Sequence, residues 1–123
     1  RAGGGGEPCV PSATVLCLRG ERFRVSARYR TGQGSEGAAQ VVELTGDTGY
    51  FWFFSDTNVE VVLKVLDGCG VNGHHWVFAG GLTDVEVRIT VTDTDSGASR
   101  QYSNPLGTPF QPLQDTSAFA GCH

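Results

Sequence analysis

Two segments of this chain alternate strictly between apolar and polar residues, and this period of two limits the fold more than any other feature. Between residues 22 and 30 every second residue is apolar, and the same holds between residues 85 and 92. Such alternation is typical of β-strands with one buried and one solvated face. Valine, threonine and aromatic residues are plentiful, whereas lysine occurs only once. We therefore predict an all-β protein.

Clusters of turn residues divide the sequence into seven or eight short strands, spaced roughly eight to twelve residues apart. We predict a two-sheet antiparallel β-sandwich of immunoglobulin-like architecture, with a closed barrel as the alternative. The Cys–Trp–Cys spacing of true immunoglobulin domains is missing. The segment after Asn104 contains Pro105, Pro109 and Pro112. Because proline is excluded from central strands, we predict that residues 106–119 form an extended arm packed over the body.

The length of 123 residues fits one domain. Residues 1–8, with four consecutive glycines, predict a flexible linker or a disordered N-terminus. Residues 9–123 are then a single β-sandwich domain.

Four cysteines indicate disulfides, because no close pair with metal-ligand spacing is present. Three pairings are possible. We favour Cys9–Cys17, which closes a local loop, and Cys69–Cys122, which ties the C-terminal segment to the body. Disulfides persist in oxidising compartments, so we expect a secreted or cell-surface protein.

The net charge of −4 and the pI near 5.2 argue against nucleic-acid binding, which needs a clustered basic surface. No apolar run approaches the roughly 20 residues of a membrane-spanning helix, so we predict no membrane insertion. No cofactor is predicted either.

The sequence also gives little support for a metal site. His74 and His75 are adjacent and would point to opposite faces of a strand, and His123 is the last residue. Residues 93–97 and 55–58 contain acidic or amide side chains, which calcium could use. Each segment supplies too few oxygens for a calcium cage and is better explained as a turn.

Catalytic machinery is not predicted. No nucleophile elbow occurs, and no free cysteine remains if both disulfides form. Glu43, Glu60 and Glu86 could be imagined as paired carboxylates, but they fall on polar strand faces. Pairing with cross-strand partners such as Arg24, Arg28 and Arg88 is their ordinary role there.

The aromatic run YFWFF at residues 50–54 is the most informative candidate for a site. In a strand, Tyr50, Trp52 and Phe54 point to one side, and Phe51 and Phe53 to the other. An open face would make Tyr50 and Trp52 a platform for stacking on sugar rings. The alternative is that all five rings are core, with the C-terminal arm covering the outer side.

Four stretches together resemble a C-terminal β-domain of uncharacterised function that is appended to exported bacterial proteins. They are CLRGERFRV at 17–25, DTGYFWFFSDTNVEVVLKVLDGC at 47–69, NGHHWVFAGGLTDVEVRITVTDTDSG at 72–97 and QYSNPLGTPFQPLQDTSAF at 101–119. The resemblance implies a bacterial exported origin and a role as an attached module, without catalytic residues. That domain has one histidine followed by an aromatic residue before Trp76, whereas here His74 and His75 are consecutive.

We therefore expect a noncatalytic accessory module that binds a glycan or another extracellular polymer, or a protein partner. Tyr50, Trp52 and His75 are its candidate binding residues. One alternative is a self-assembling subunit of a surface filament or adhesin, which would form homo-oligomers through the N-terminal segment or the C-terminal arm. Another is a peptidase inhibitor that presents a rigid loop on this scaffold.

Overall fold

The computed structural model of this chain describes residues 7–122. Within them, the chain forms ten strands and one helix of a single turn. In chain order these are β1 (Leu16–Leu18), β2 (Phe23–Arg30), β3 (Glu36–Ala38), β4 (Gln40–Glu43), β5 (Thr48–Trp52), β6 (Val61–Gly68), α1 (Cys69–Asn72), β7 (His74–Gly81), β8 (Glu86–Asp93), β9 (Ser99–Asn104) and β10 (Leu113–Ala120). The prediction of an all-β protein is confirmed.

The first sheet has five antiparallel strands in the order β1-β2-β8-β9, with β3 also paired to β2. β1 pairs with residues 23–25 and β3 with residues 28–30, so both lie along the edge of β2 that β8 leaves open. Both alternating segments of the sequence are in this sheet, as β2 and β8. In each of them alternate residues are buried, as their period of two predicts.

The second sheet also has five antiparallel strands, in the order β10-β7-β6-β5-β4. β4 to β7 follow one another in the chain, each paired with the next. β10 returns from the first sheet and joins the free edge of β7.

One hydrophobic core lies between the two sheets. The first sheet contributes Phe23 and Ile89, and the second contributes Phe51, Leu63 and Phe119, all of them fully buried. The ring centroids of Phe23 and Phe119 lie 5.4 Å apart and join the two layers directly. This shared core gives the molecule a sandwich-like arrangement.

The prediction of an extended arm over residues 106–119 is wrong in its second half. The proline-containing residues 105–112 form no strand, but Leu113–Ala120 pairs with β7 along its edge. No proline occurs after Pro112, so every residue of this segment has the N–H that pairing requires. The C-terminal segment therefore extends the second sheet instead of crossing its outer face.

The strand count exceeds the predicted seven or eight for two reasons. β10 forms within the segment predicted as an arm. β3 forms at the end of a glycine-rich loop, because Thr31 and Ser35 close a hairpin in which the Thr31 amide donates to the Ser35 carbonyl at 2.8 Å. That hairpin returns residues 36–38 to the edge of β2.

Both predicted disulfides are confirmed. Cys9–Cys17 and Cys69–Cys122 have Cα separations of 5.8 and 5.6 Å, within the usual range. No free cysteine occurs among residues 7–122. The two disulfides fit an extracellular location.

Of the predicted linker at residues 1–8, residues 1–6 lie outside the described residues, as does His123. Glu7 and Pro8 are exposed and belong to no strand. Within residues 7–122, no helix has the length and apolar character that crossing a bilayer requires.

Candidate functional site

The outward face of the second sheet follows from its strand register. Phe51, Leu63, Val65 and Val77 are fully buried, so the residues that alternate with them point outward. The outward residues form five cross-strand rows, namely Gln40–Trp52, Val42–Tyr50–Val62–Gly80, Thr48–Lys64–Phe78–Gln114, Leu66–Trp76 and Gly68–His74–Ala120. We call this surface the aromatic face.

Four aromatic residues occupy four successive rows of the aromatic face. Trp52 and Tyr50 lie on β5, and Phe78 and Trp76 follow on β7, with β6 between the two strands. All four side chains are partly exposed. With rows about 7 Å apart and strands about 4.8 Å apart, they form a diagonal line roughly 20 Å long. We call this line the aromatic track.

Trp76 is held in one orientation at the end of the track. Its indole Nε1 donates to Asn72 Oδ1 at 2.9 Å, and its ring lies 5.9 Å from that of Phe78 with the planes inclined by only 14°. The indole rests against Gly68, where a Cβ atom would stand 2.1 Å from Cε2 and Nε1. A glycine at this position is therefore required for the observed position of Trp76.

A groove of about 320 Å³ lies in the middle of the aromatic face. Its lining includes Val62, Phe78, Gly80 and Gln114. A Cβ atom on Gly80 would meet nothing within 4 Å, so the missing side chain leaves open space between β6 and the C-terminal segment. The groove is apolar along its walls and has an amide and an ammonium group at its sides.

The ammonium group belongs to Lys64, which lies on β6 between Thr48 and Phe78. Lys64 makes no ion pair of 4.0 Å or less with any residue in the described part of the chain. Its electrostatic influence reaches Asp47, whose pKa is lowered mainly by hydrogen bonds from Thr48 and Thr45 and to a smaller degree by Lys64.

The structure brings two of the three predicted binding residues together. Tyr50 and Trp52 both lie on the aromatic face and remain partly exposed, and the Tyr50 hydroxyl donates to the Asp56 carbonyl at 3.2 Å. The alternative, in which the C-terminal arm covers these rings, does not hold because β10 lies at the edge of β7.

His75 is not part of this surface. It is only 4% exposed and faces the core, with its ring centroid 5.1 Å from that of Phe23. Burial lowers the pKa of His75, and the nearby charge of Arg22 lowers it further. The neutral imidazole is thus favoured in the interior, and His75 cannot contact a ligand on the aromatic face.

The remaining aromatic residues of the YFWFF run divide differently from the prediction. Phe51 and Phe53 are buried as expected, but β5 ends at Trp52, and the chain bends before Phe54. Phe54 is 56% exposed and lies edge-on to Tyr29 at 5.2 Å. It therefore lies off the aromatic track, at the end of the sandwich.

One group of potential metal ligands occurs among the described residues. Cys69, His75 and Cys122 place their donor atoms within 4.8 Å of one another. The two sulfur atoms form a disulfide with each other, however, and a disulfide provides no thiolate for a metal ion. His75 Nδ1 lies 3.9 Å from Cys69 Sγ, so the imidazole packs beside the disulfide.

The acidic turn at residues 93–97 is paired with an arginine side chain. Asp93 is fully buried, and its two oxygens accept hydrogen bonds from Arg22 Nε and Nη2, each at 3.1 Å. Asp95 lies 3.5 Å from the same guanidinium group. Arg22 also donates to the Gly121 carbonyl at 2.9 Å, so this ion pair joins the turn to the C-terminal strand.

The glutamates considered for catalysis are not gathered into a pair. Glu86 lies on the first sheet and accepts a 2.7 Å hydrogen bond from Arg30, while Glu43 lies on the edge strand of the second sheet. Glu60 is buried, not solvated as predicted, and it accepts from Asn58 at 2.9 Å.

The outward face of the first sheet is polar, as the alternation of β2 predicted. Arg30 pairs with Glu86, while Arg28 and Arg88 lie 3.9 Å from Glu36 and Glu86 respectively. The predicted pairing with arginine is thus confirmed for Glu86 alone, because no ion pair of 4.0 Å or less involves Glu43 or Glu60 among the described residues. We call this surface the arginine face.

Sequence reasoning missed Trp76 and Phe78 as members of the same surface as Tyr50 and Trp52. Residues 76–79, WVFA, are apolar at every position, as are residues 50–54. Two strands that are apolar on both faces were the available signal. The register that aligns these two strands could not be predicted from the sequence, because it depends on β6 lying between them.

Comparison with protein-family models, curated proteins and solved structures found no match to this chain.

Proposed function

We propose that this chain is a noncatalytic binding module of an exported bacterial protein, and that its aromatic face binds an extracellular polysaccharide. The observation that carries the proposal is the aromatic track, four partly exposed rings in successive rows over roughly 20 Å. A track of this length suits several sugar units of a linear polymer better than a single small molecule.

The chemistry of the aromatic face supports binding without catalysis. The apolar faces of sugar rings stack on aromatic side chains, and sugar hydroxyl groups need nearby hydrogen-bonding partners. Thr48, Gln40 and Gln114 provide hydroxyl and amide groups beside the track. The outward rows contain no carboxylate, serine or cysteine, and their one histidine, His74, has its Nδ1 3.0 Å from the Asn72 carbonyl oxygen.

The wider setting of the module is part of the same proposal. The resemblance to domains appended to exported bacterial proteins, together with two disulfides, supports secretion and attachment to a host protein. The antiparallel pairing and the shared core support immunoglobulin-like architecture for the two sheets. The polar arginine face would then remain in water when the opposite face is occupied.

The test is a binding screen against a panel of soluble polysaccharides, followed by titration of the best ligand. Trp52→Ala should weaken binding by at least tenfold, because a tryptophan that stacks directly on the ligand contributes about 2 kcal/mol or more. Phe54→Ala is the matched control, since it removes an exposed aromatic ring that lies off the track. Its affinity should stay within about twofold of the parent protein.

Quenching of tryptophan fluorescence gives an independent measurement. The variants Trp52→Phe and Trp76→Phe each leave one tryptophan, and both remaining indoles should be accessible to acrylamide. The ligand should protect both of them. If no polysaccharide binds, or if Phe54→Ala weakens binding as much as Trp52→Ala, the assignment of the aromatic face as a glycan site is wrong.

A further inference from the structure

The charges on the aromatic face differ from those of the rest of the chain. The sequence contains 13 acidic residues against 9 basic ones. None of those acidic residues occurs in the outward rows of the second sheet, whereas the single lysine of the chain, Lys64, lies in the middle row. A net acidic protein thus has no carboxylate in the outward rows around its one lysine, and Asp47, whose pKa the charge of Lys64 lowers slightly, lies in the turn just before β5.

A ligand lying on the aromatic track would cover Lys64. The residue is already partly buried between Thr48 and Phe78, and no described residue pairs with its ammonium group. Removing a charge from water without a partner is costly, while a carboxylate partner forms a strong charge-assisted hydrogen bond. A neutral sugar chain would bury the ammonium group without a partner, whereas an acidic chain would supply the carboxylate that pairs with it.

We propose that the ligand of the aromatic face is a carboxylate-bearing polysaccharide, a polyuronate, whose carboxylate pairs with Lys64 while its rings stack on the track. This inference rests on the proposed glycan-binding function and specifies its ligand class. Gln114 lies in the same row as Lys64 and supplies a further donor toward the groove.

The same charge argues against a second copy of this chain as the occupant. A two-fold interface through this face would bring equivalent residues of the two copies together. Lys64 lies near the middle of the face, so it would approach its own equivalent, with no carboxylate in the opposing outward rows to compensate. Self-association through this face is therefore disfavoured relative to an anionic ligand.

The arginine face is the competing site for an anionic polymer, so the experiment needs a control variant on that face. Its carboxylates Glu36 and Glu86 already neutralise part of its charge. Arg24 lies on that face, and no ion pair of 4.0 Å or less involves it among the described residues. The variants Lys64→Gln and Arg24→Gln each remove one positive charge, but from opposite faces of the sandwich.

The experiment measures the affinity of the parent protein and both variants for homogalacturonan oligosaccharides and for the same oligosaccharides fully methyl-esterified. Esterification removes the charge and keeps the sugar rings. The parent should bind the acid about tenfold more tightly than the ester, as expected for one charge-assisted hydrogen bond. Lys64→Gln should abolish that preference, while Arg24→Gln should preserve it.

The outcomes separate this inference from the proposed function. Equal binding of acid and ester, sensitive to Trp52→Ala and insensitive to Lys64→Gln, would overturn the polyuronate assignment and leave the glycan site intact. Equal losses in Lys64→Gln and Arg24→Gln would assign the preference to net charge and also overturn it. Dextran sulfate binding through Lys64, without polyuronate binding, would replace the carboxylate by a sulfate. Failure of every polysaccharide to bind would remove both proposals.

Discussion

Gly68→Ala tests whether the sheet itself positions the end of the aromatic track. The glycine has φ −94° and ψ 14°, a conformation that alanine can adopt, so the backbone need not change. The added Cβ, however, would lie 2.1 Å from Cε2 and Nε1 of Trp76 and 2.7 Å from Cζ2. No contact between real atoms is that short, so the indole has to move.

The cost can be estimated from what the indole loses. Moving it breaks the 2.9 Å hydrogen bond to Asn72, which contributes about 1 kcal/mol. A strained rotamer costs about 1 kcal/mol more. We therefore expect a loss of about 2 kcal/mol in the free energy of unfolding, or roughly 8 °C in Tm for a domain of this size.

Thermal and urea denaturation followed by circular dichroism would measure this loss. In a Trp52→Phe background, the emission of Trp76 should also change because the indole leaves its site. Gly70→Ala is the matched control, since a Cβ there meets nothing within 4 Å. If Gly68→Ala changed stability by less than about 0.5 kcal/mol and left the Trp76 emission unchanged, the packing argument would be refuted.

Two further predictions concern the features that hold the sandwich together. Replacing Cys69 and Cys122 by serine should cost about 4 kcal/mol, and replacing Cys9 and Cys17 about 2.5 kcal/mol, because the loops span 53 and 8 residues; equal losses in urea denaturation would contradict the loop-length argument. Burial raises the pKa of Asp93, but hydrogen bonds from its arginine partner and neighbouring groups outweigh this and hold it below its ordinary value. The stabilisation that the Asp93 carboxylate provides is therefore complete above its unfolded pKa of about 4, and it is lost as the pH falls through its lower pKa in the folded protein. Asp93→Asn should cost roughly 3 kcal/mol at neutral pH and remove this part of the acid dependence, which a pH series of denaturation curves would show.

The strands were largely predictable because their signals are local. Alternation within β2 and β8, and the turn residues around them, can be recognised within ten residues. β10 was missed because its pairing depends on a free edge of β7, which lies more than 30 residues earlier in the chain. The prolines at 105–112 correctly excluded a strand there, but their influence ends at Pro112.

The candidate site was half predictable for the same reason. Tyr50 and Trp52 lie two residues apart, so a period of two is enough to place them on one face. Their alignment with Phe78 and Trp76 requires the register across β6, which no single segment contains. His75 was assigned to the surface although the same period places it on the inner side, opposite to Trp76.

The contrast between the two outer faces bears on why the aromatic side chains are there. A strand needs only one apolar face to hold a sandwich together, and β2 shows that this chain can build the other face from arginine and serine. β5 and β7 carry aromatic residues on their outward side as well, where water must solvate them. Soluble proteins rarely expose a continuous apolar surface of this kind unless it contacts a partner. Because a β-sandwich needs no aromatic side chains at outward positions such as those of Trp52 and Phe78, and because the only lysine lies among these rings without an acidic neighbour in its rows, we attribute the composition of this face to the proposed polysaccharide ligand.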